Sequence, residues 1–540
     1  MHSCVSKVMA FAAASAMLLL PASPVIANDR EYYSTKTPIK HLVVIFQENI
    51  SFDHYFATYP NATNPPHEPQ FHARRGTPTV NGLSGGLLTN NPNALNTANG
   101  TGATNPFRLD RSQAGTADQD HDYGDEQAAM HAGLVDLYPL STGTAGPPPN
   151  APPIAETKGL AMGYYDGNTV TALWNYAQHF AMSDNSFGTT FGPSTPGLIN
   201  LVSGQTNGAI KTLNGTGNET DGGDGSLTVI GDPDPIGDVC SAPTRNQVTM
   251  GGKNIGDLLN DAGVTWGSFM GGFNLQTVNA NGSTGCTRNS TSTITGTTGD
   301  YIPHHAFFQY WESTANPTHA RPHSTWEIGH NGPANHEYDL NDFFAAVKAG
   351  NFPAVSFLKA IAIQDGHAGY SDPVDEQAFI VNTINFLQKS PEWNSTAVVI
   401  LYDDSDGWYD HQIGPIVNQS SGEADALTGP GKCGDGTTAL PGIDSGNEHA
   451  QGRCGYGVRQ PLLVISPWSR ENFVDHRVTD QTSVIHFVED NWLGGKRIGG
   501  GSFDSIANSI DQMFEFDRNR SEERLFLDPS SGEPTSGNNH

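Results

Sequence analysis

Basic residues are scarce in this chain. Its 540 residues carry 27 Lys and Arg against 56 Asp and Glu, which gives a formal net charge of −29. So acidic a composition excludes a scaffold for nucleic acid or for an anionic membrane, because those partners are held by Lys and Arg. An anionic substrate must therefore be held by local cations, since the overall field repels it.

Long apolar runs are missing after the first 27 residues. A bilayer span needs about 20 consecutive apolar residues, so no transmembrane segment is predicted. The N-terminus has Lys7, a short apolar core at residues 8–20, and Val25-Ile26-Ala27 before Asn28. This order is typical of a secretory signal at residues 1–27 and predicts an exported protein, either periplasmic or secreted.

Cysteine is also rare. Cys4 lies in the signal segment, and the remaining four form no Cys-x-x-Cys pair, which argues against a zinc–thiolate cluster. In an exported chain such cysteines favour disulfides. Three connectivities are possible, and the sequential one, Cys240–Cys286 with Cys433–Cys454, is the simplest; free thiols remain the alternative.

The part after the signal is longer than a usual single core, yet no linker or repeat divides it. Runs rich in Gly, Asn, Thr, Ser and Pro interrupt it instead. We interpret them as loops inserted into one domain, residues 28–520, because long surface loops cost little closure entropy. The loops are predicted at 76–117, 207–246, 274–300 and 412–454, and a disordered polar tail at 521–540.

The segments between these loops alternate between strand-like and helix-like patterns. The predicted strands are 39–46, 354–358, 397–402 and 461–465, and the predicted helices are 170–181, 340–349, 377–388 and 482–491. This alternation predicts an α/β fold with a mostly parallel central sheet covered by helices on both faces. In such sheets, ligands bind at the carboxyl ends of the strands.

Acidic residues crowd the end of one predicted strand, in "VVILYDDSDGWYDH" (398–411). Asp403 and Asp404 follow that strand directly, and Glu48 and Asn49 follow the first strand. These four residues should meet at one edge of the sheet, and their oxygens suit a divalent cation. A solvated, Asp-rich turn is the alternative.

A tight bend surrounds Ser194 in "TTFGPSTPGLIN" (189–200), with Gly and Pro on both sides. Such a bend can present a hydroxyl to a ligand. From spacing alone, however, Ser194 is better interpreted as the N-cap of a following helix.

Histidines form the third group of candidates. Among 20 in the chain, four stand in polar, turn-rich contexts: His121, His304, His305 and His367. Taken one at a time, each is better explained as a loop histidine without function.

Five stretches together carry a resemblance. They are "IKHLVVIFQENISFDHYFATYP" (39–60), "FGPSTPG" (191–197), "YIPHHAFFQYW" (301–311), "YDDSDGWYDH" (402–411) and "GYGVRQPLLVISPWSR" (455–470). In this order they resemble the bacterial phosphoesterases that comprise phospholipases C and AcpA-type acid phosphatases, within the alkaline phosphatase-like superfamily. The resemblance covers about residues 38–495.

This resemblance implies a single catalytic metal centre in an alkaline phosphatase-like fold. The residues that it places at the metal are Glu48, Asn49, Ser194, Asp403 and Asp404, with Ser194 also the nucleophile. His121, His304, His305 and His367 would surround the phosphoryl oxygens and the leaving group. The ligands are all oxygens, so the identity of the divalent ion is not fixed.

Within the family, Ser at the nucleophile position and the "DDSDG" turn resemble the acid phosphatase branch. The prediction is an exported acid phosphatase that hydrolyses phosphomonoesters through a phosphoserine intermediate, with an acidic optimum if the histidines are protonated. A phospholipase C that cleaves phospholipids to diacylglycerol and a phosphorylated head group is the alternative. A protein that binds a phosphorylated ligand without turnover is the remaining one. The oligomeric state is not predicted.

Two other enzyme classes fit poorly. A sulfatase needs Arg four positions after the nucleophile, where this chain has Leu198. A serine esterase is suggested by "GLSGG" (82–86), but no predicted strand precedes it, so we interpret that match as chance.

Overall fold

A nine-stranded sheet forms the centre of the protein. The computed structural model describes residues 34–146, 152–437, 450–518 and 523–535. The signal segment predicted at 1–27 lies outside the described residues. No helix within the described ranges is long and apolar enough to cross a membrane.

The described elements alternate along the chain. The strands are β1 (His41–Gln47), β2 (Phe107–Arg108), β3 (Gly163–Tyr164), β4 (Ala181–Phe187), β5 (Asn207–Leu213), β6 (Glu219–Asp221), β7 (Leu227–Val229), β8 (Asp234–Pro235), β9 (Gln247–Met250), β10 (Trp266–Met270), β11 (Asn289–Ser292), β12 (Gly296–Gly299), β13 (Glu337–Asp339), β14 (Val355–Lys359), β15 (Thr396–Tyr402), β16 (Arg459–Ile465), β17 (Phe473–Asp475) and β18 (Thr479–Asp480). The α-helices are α1 (Phe52–Phe56), α2 (Gly86–Thr89), α3 (Pro92–Leu95), α4 (Tyr123–Met130), α5 (Tyr138–Ser141), α6 (Thr171–His179), α7 (Ser194–Ser203), α8 (Ile255–Ala262), α9 (Leu340–Lys348), α10 (Pro373–Gln388) and α11 (Thr482–Trp492).

The central sheet is mostly parallel, as the sequence predicts. Its order is β13-β10-β14-β1-β15-β16-β4-β17, and β18 also pairs with β4. Among these described strands, β16 alone runs against the rest. Every residue of β15 is buried, so both faces of the sheet are covered at its centre.

The strand ends that carry the acids are neighbours. β1 pairs in parallel with β15, and Gln47 lies opposite Tyr402 in that register. Glu48 and Asp403 therefore leave the sheet side by side. β14 flanks β1 on its other side and ends at Lys359. The acids therefore meet at the carboxyl ends of neighbouring strands, as predicted, and a buried lysine, Lys359, ends the strand beside them.

One strand was not predicted, and the predicted helix 170–181 overlaps its first residue. Helix α6 ends at His179, and Ala181–Phe187 is strand β4. Its polar side chains are buried but paired: Ser183 Oγ donates to Asp475 O at 3.2 Å, and Asp184 Oδ2 accepts from Asn81 N at 2.7 Å. These partners lie far away in the sequence, so local polarity gave no sign of a buried strand.

The inserted regions contain more regular structure than predicted. Residues 207–250 form a five-stranded sheet in the order β6-β7-β5-β9-β8, and β11 and β12 pair as an antiparallel hairpin within 274–300. The sequential disulfides are confirmed, with bonds Cys240–Cys286 and Cys433–Cys454.

The predicted disorder of the tail is wrong for residues 523–535. Leu525 and Leu527 are buried in the main hydrophobic core. Asn385 Nδ2 donates to Leu527 O at 2.8 Å, so the segment also hydrogen-bonds to α10. Two leucines in a polar stretch are enough to anchor it.

A buried guanidinium ties β16 to the loops that follow β1 and β15. Arg459 Nη2 donates to Asp53 Oδ1 at 3.1 Å, and its Nε donates to Asp410 Oδ1 at 3.1 Å. The guanidinium also lies 4.3 Å from the centre of the Phe52 ring. Arg459 therefore neutralises two acids that flank the strand-end edge.

We predict that Arg459→Leu lowers the free energy of unfolding by about 3–5 kcal/mol, because it leaves buried Asp53 and Asp410 without their cation. Urea unfolding of the purified protein measures this loss. Lys211→Ala is the control, since the Lys211–Glu312 ion pair is exposed and should be worth less than about 1 kcal/mol. Equal losses of unfolding free energy in the two variants would contradict a stabilising role for the contacts of Arg459 with Asp53 and Asp410.

Candidate active site

Ser194 stands at the first position of α7 and is buried. Its Oγ donates a hydrogen bond to Glu48 Oε2 at 2.9 Å. The N-cap position belongs to Pro193, and the free amide of Thr195 is bound instead by Asp232 Oδ1 at 2.8 Å. The N-cap interpretation of Ser194 is therefore wrong: its hydroxyl points to the acids at the strand ends.

The acidic bend after β15 uses one oxygen of each carboxylate for its own backbone. Asp403 Oδ1 accepts from the amides of Asn49 and Asp404, both at 2.8 Å. Asp404 Oδ1 accepts from the amide of Asp406 at 2.7 Å. These hydrogen bonds fix the orientation of each carboxylate and leave its Oδ2 oxygen free of the backbone of the bend.

Three buried oxygens at this edge have no hydrogen-bond partner within the described residues: Asn49 Oδ1, Asp403 Oδ2 and Asp404 Oδ2. Burying such atoms unpaired is costly. An amide oxygen and two carboxylates are the donors that a hard divalent cation prefers. Glu48 Oε2 and Ser194 Oγ belong to the same edge, so the residues present fit the predicted metal.

Lys359 is a residue of this edge that the sequence analysis missed. Its Nζ contacts Glu48 Oε1 and lies 3.7 Å from Asp403 Oδ2. Burial raises the pKa of Glu48 to about 7, although Lys359 lowers it. Burial lowers the pKa of Lys359, but Glu48 and Asp403 outweigh it and raise that pKa. The only signal in the sequence is one lysine at the end of an apolar strand.

His305 lies against the same glutamate. Its Nδ1 is 3.2 Å from Glu48 Oε1 and 4.0 Å from Asp365 Oδ2, and Tyr370 OH donates to Asp365 Oδ2 at 3.2 Å. Burial lowers the pKa of His305 well below its ordinary value, so the ring is neutral. Asp365 was also missed, because it stands in a polar turn like many others.

His121 and His367 approach from two loops, with ring centres 5.9 Å apart. His121 Nδ1 donates to Gln119 O at 2.8 Å, and its Nε2 lies 3.3 Å from Asn49 Nδ2. His367 Nδ1 donates to Ala368 O at 2.5 Å. Backbone carbonyls thus fix both rings, and the Nε2 of His121 faces the metal-ligand candidates.

His304 completes the group of histidines. Its Nδ1 lies 3.6 Å from Asp234 Oδ1, on β8 of the inserted sheet, and its ring centre is 4.6 Å from that of His305. Its carbonyl accepts a hydrogen bond from Thr195 Oγ1 at 3.3 Å. Two of the four predicted histidines therefore contact the strand-end edge, His121 at Asn49 and His305 at Glu48, while the rings of His367 and His304 lie next to theirs.

The expected protonation of these histidines is only partly met. Burial lowers the pKa of His367 to about 4, and His305 is likewise neutral. For His121, burial lowers the pKa, but Asp404 and Asp406 outweigh it and raise the pKa well above its ordinary value. Of these three histidines, only His121 therefore has a pKa raised toward the protonated form on which the predicted acidic optimum depends.

Glu126 joins the two bends that carry the site and was not predicted. Its Oε2 accepts from Gly192 N at 3.1 Å, beside Ser194, and its Oε1 accepts from Ser405 Oγ, beside Asp404. Helix α4 supplies this residue five positions after His121. Nothing in the spacing distinguishes it from the solvated acids around it.

We predict that Asp404→Asn weakens divalent-metal binding by at least about tenfold, because affinity falls with the charge of the ligand set. Asn still offers an oxygen to the amide of Asp406, so the bend is kept. Calorimetric titration of metal-free protein with Mn²⁺ measures the change. Glu312→Gln, at an exposed acid, should leave the affinity within about twofold. Unchanged affinity in the Asp404 variant would remove this residue from the metal site.

Solved structures with some likeness include murine ectonucleotide pyrophosphatase/phosphodiesterase 5. It has 12% identity and a TM-score of 0.29, over 64% of this chain and 95% of that one. A protein of the alkaline phosphatase superfamily from Vibrio parahaemolyticus has 11% identity and a TM-score of 0.27, over 78% and 79%. Both scores are low, so the fold class rests on the sheet itself.

Curated relatives have higher identity. The chain is 24% identical to a non-hemolytic phospholipase C of Pseudomonas aeruginosa over 467 residues, which are 84% of this chain and 54% of that protein. It is 25% identical to phospholipase C B of Mycobacterium tuberculosis (strain H37Rv), over 84% of this chain and 73% of that protein. It thus spans about half of the first and three quarters of the second. A profile of the phosphoesterase family matches residues 39–493, and the chain belongs to that family.

Proposed function

We propose that this protein is a metal-dependent phosphoesterase of the phospholipase C type, with Ser194 as its nucleophile. The observation that carries the proposal is the Ser194 Oγ–Glu48 Oε2 hydrogen bond beside three unpartnered buried oxygens. The sequence alone favoured an acid phosphatase first. The relatives with matching sequences are phospholipases C, so we reverse that order.

The reaction starts with the serine. Ser194 Oγ attacks phosphorus, its proton passes to Glu48 Oε2, and the bond from phosphorus to the glycerol oxygen breaks. A divalent ion held by Glu48, Asn49, Ser194, Asp403 and Asp404 would supply Lewis acidity and favour the alkoxide. The product of this step is the head-group phosphate bound to Ser194, and diacylglycerol leaves.

Protonation of the leaving oxygen falls to a histidine, and His367 is our candidate. Its pKa is lowered to about 4 by burial in the ligand-free site. An anionic phosphate beside the ring favours the charged form and raises that pKa. His367 is therefore proposed as an acid only in the substrate complex. Water then cleaves the Ser194–phosphorus bond: its OH group goes to phosphorus and its proton to Ser194 Oγ. Glu48 releases the proton that it took in the first step, and His367 takes up a proton again.

An acid phosphatase is the second candidate. Ser rather than Thr at position 194 and the "DDSDG" bend are the observations that favour it. The same residues would then form a phosphoserine from a phosphomonoester. We also propose export to the periplasm or the medium, on the basis of the N-terminal pattern and the two disulfides.

We predict that Ser194→Ala lowers turnover by at least about a thousandfold, because the attacking atom is lost, while metal remains bound. Ser203→Ala, at the far end of the same helix, is the control and should keep the parent rate. Rates on phosphatidylcholine micelles and on p-nitrophenyl phosphate measure both variants. Full activity of Ser194→Ala would exclude this nucleophile.

The mass of the trapped intermediate separates the two functions. Acid quench of the parent enzyme with phosphatidylcholine should leave phosphocholine on the peptide that contains Ser194. A phosphomonoesterase should show an adduct only with a monoester substrate, as phosphate. An adduct on a histidine in either case would contradict both functions as proposed.

We predict that Glu126→Gln lowers kcat by about 10- to 100-fold. If Gln Oε1 accepts from Gly192 N–H, its amide NH2 faces Ser405 Oγ, and the Ser405 hydroxyl proton loses its acceptor. The two bends should then shift, and a shift of about 1 Å at a nucleophile has effects of this size. Thermal unfolding should change little. Asp125→Asn, the neighbouring acid of α4, should behave like the parent enzyme. A parental kcat in Glu126→Gln would show that the bridge does not position Ser194.

A further inference from the structure

Lys359 is a buried cation whose contacts are with acids of the proposed metal centre. It is 1% exposed, at the end of β14, and its Nζ lies 5.4 Å from the centre of the Phe46 ring. A buried ammonium is costly unless acids surround it. Here they are Glu48, through Oε1, and Asp403, through Oδ2 at 3.7 Å.

Of these two acids, Glu48 also belongs to a second group of metal-ligand type. Ligand atoms of Glu48, His305 and Asp365 all lie within 4.8 Å of one another. His305 Nδ1 is 3.2 Å from Glu48 Oε1, the oxygen that Lys359 also contacts. Carboxylate oxygens and imidazole nitrogens are both ligands of zinc. The ammonium of Lys359 therefore stands at the oxygen that a metal in this group would need.

A different set of atoms is left for the metal of the proposed function. Asn49 Oδ1 and Asp404 Oδ2 are buried without a hydrogen-bond partner among the described residues. Both belong to the loops beyond the strand ends, whereas Lys359 still belongs to the sheet. The edge thus offers two cation positions, one on the sheet side and one on the loop side.

We propose that the Lys359 ammonium takes the place of a second metal ion beside Glu48, His305 and Asp365, which leaves the divalent ion of the proposed function on the loop side. This inference rests on the proposed function for the metal itself. It explains how most of the charge of four acids, Glu48, Asp365, Asp403 and Asp404, is neutralised with a single divalent ion. Lys359 and the metal each neutralise part of that charge, and Glu48 faces both.

Counting bound zinc tests the proposal. Metal-free parent protein, Lys359→Ala and Lys359→Met are equilibrated with Zn²⁺, desalted and measured by mass spectrometry of the metal. Lys359→Ala removes the ammonium and opens its position, so it should bind one more zinc per chain than the parent. Lys359→Met removes the charge but fills the space, and should bind no more than the parent.

The extra zinc must also depend on the proposed ligands. The double variant with His305→Ala and Lys359→Ala should bind as many zinc ions per chain as the parent protein. Zinc bound by other histidines does not affect this comparison, because it is present in both proteins. Equal counts in the parent and in Lys359→Ala would overturn the proposal. So would an extra zinc that survives His305→Ala.

A crystal of the parent protein soaked in Zn²⁺ gives an answer even if Lys359→Ala does not fold. An anomalous peak next to Asn49 Oδ1 and Asp404 Oδ2, with Lys359 still on Glu48, supports the proposal. A peak about 2 Å from Glu48 Oε1 and His305 Nδ1 overturns it. Neither measurement involves substrate, so failure of the proposed phosphoesterase activity would be seen separately in the rate assays.

Discussion

Burial of several carboxylates at one edge of the sheet is the constraint on which this site depends. Parallel pairing of β1 with β15 places Glu48 beside Asp403, and both are buried. Negative charges on neighbouring carboxylates repel one another strongly in a medium of low polarity. The surroundings relieve that repulsion in three ways: backbone amides bind one oxygen of each Asp, Lys359 binds Glu48, and the unpartnered oxygens are left for a cation.

The rest of the molecule holds the edge in place. Arg459 fixes the loops after β1 and β15 through Asp53 and Asp410, and Glu126 joins the bend of Ser194 to the bend of Asp404. The inserted sheet contributes Asp232 and Asp234, which contact Thr195 and His304. A nucleophile, its acidic partner and the histidines therefore come from separate segments that are joined by buried polar contacts.

The sequence was informative where local pattern decides structure. The apolar runs that became β1, β14 and β15 are strong signals, and parallel pairing then implies that Glu48 and Asp403 meet. Lys359, Glu126 and β4 were missed because their partners are 60 to more than 300 residues away. For Ser194, spacing alone indicated a helix cap, and only the position of Asp232 shows that the cap is supplied from elsewhere.

The central claim is that Ser194 forms a covalent intermediate with the phosphorus of its substrate. The stereochemical course at phosphorus tests it most directly. A phosphatidylcholine analogue with one chiral phosphorothioate configuration would be hydrolysed in ¹⁸O-water, and the configuration of the thiophosphate product determined. Two successive in-line displacements predict retention of configuration. Inversion would mean that water attacks phosphorus directly, which would contradict Ser194 as the nucleophile.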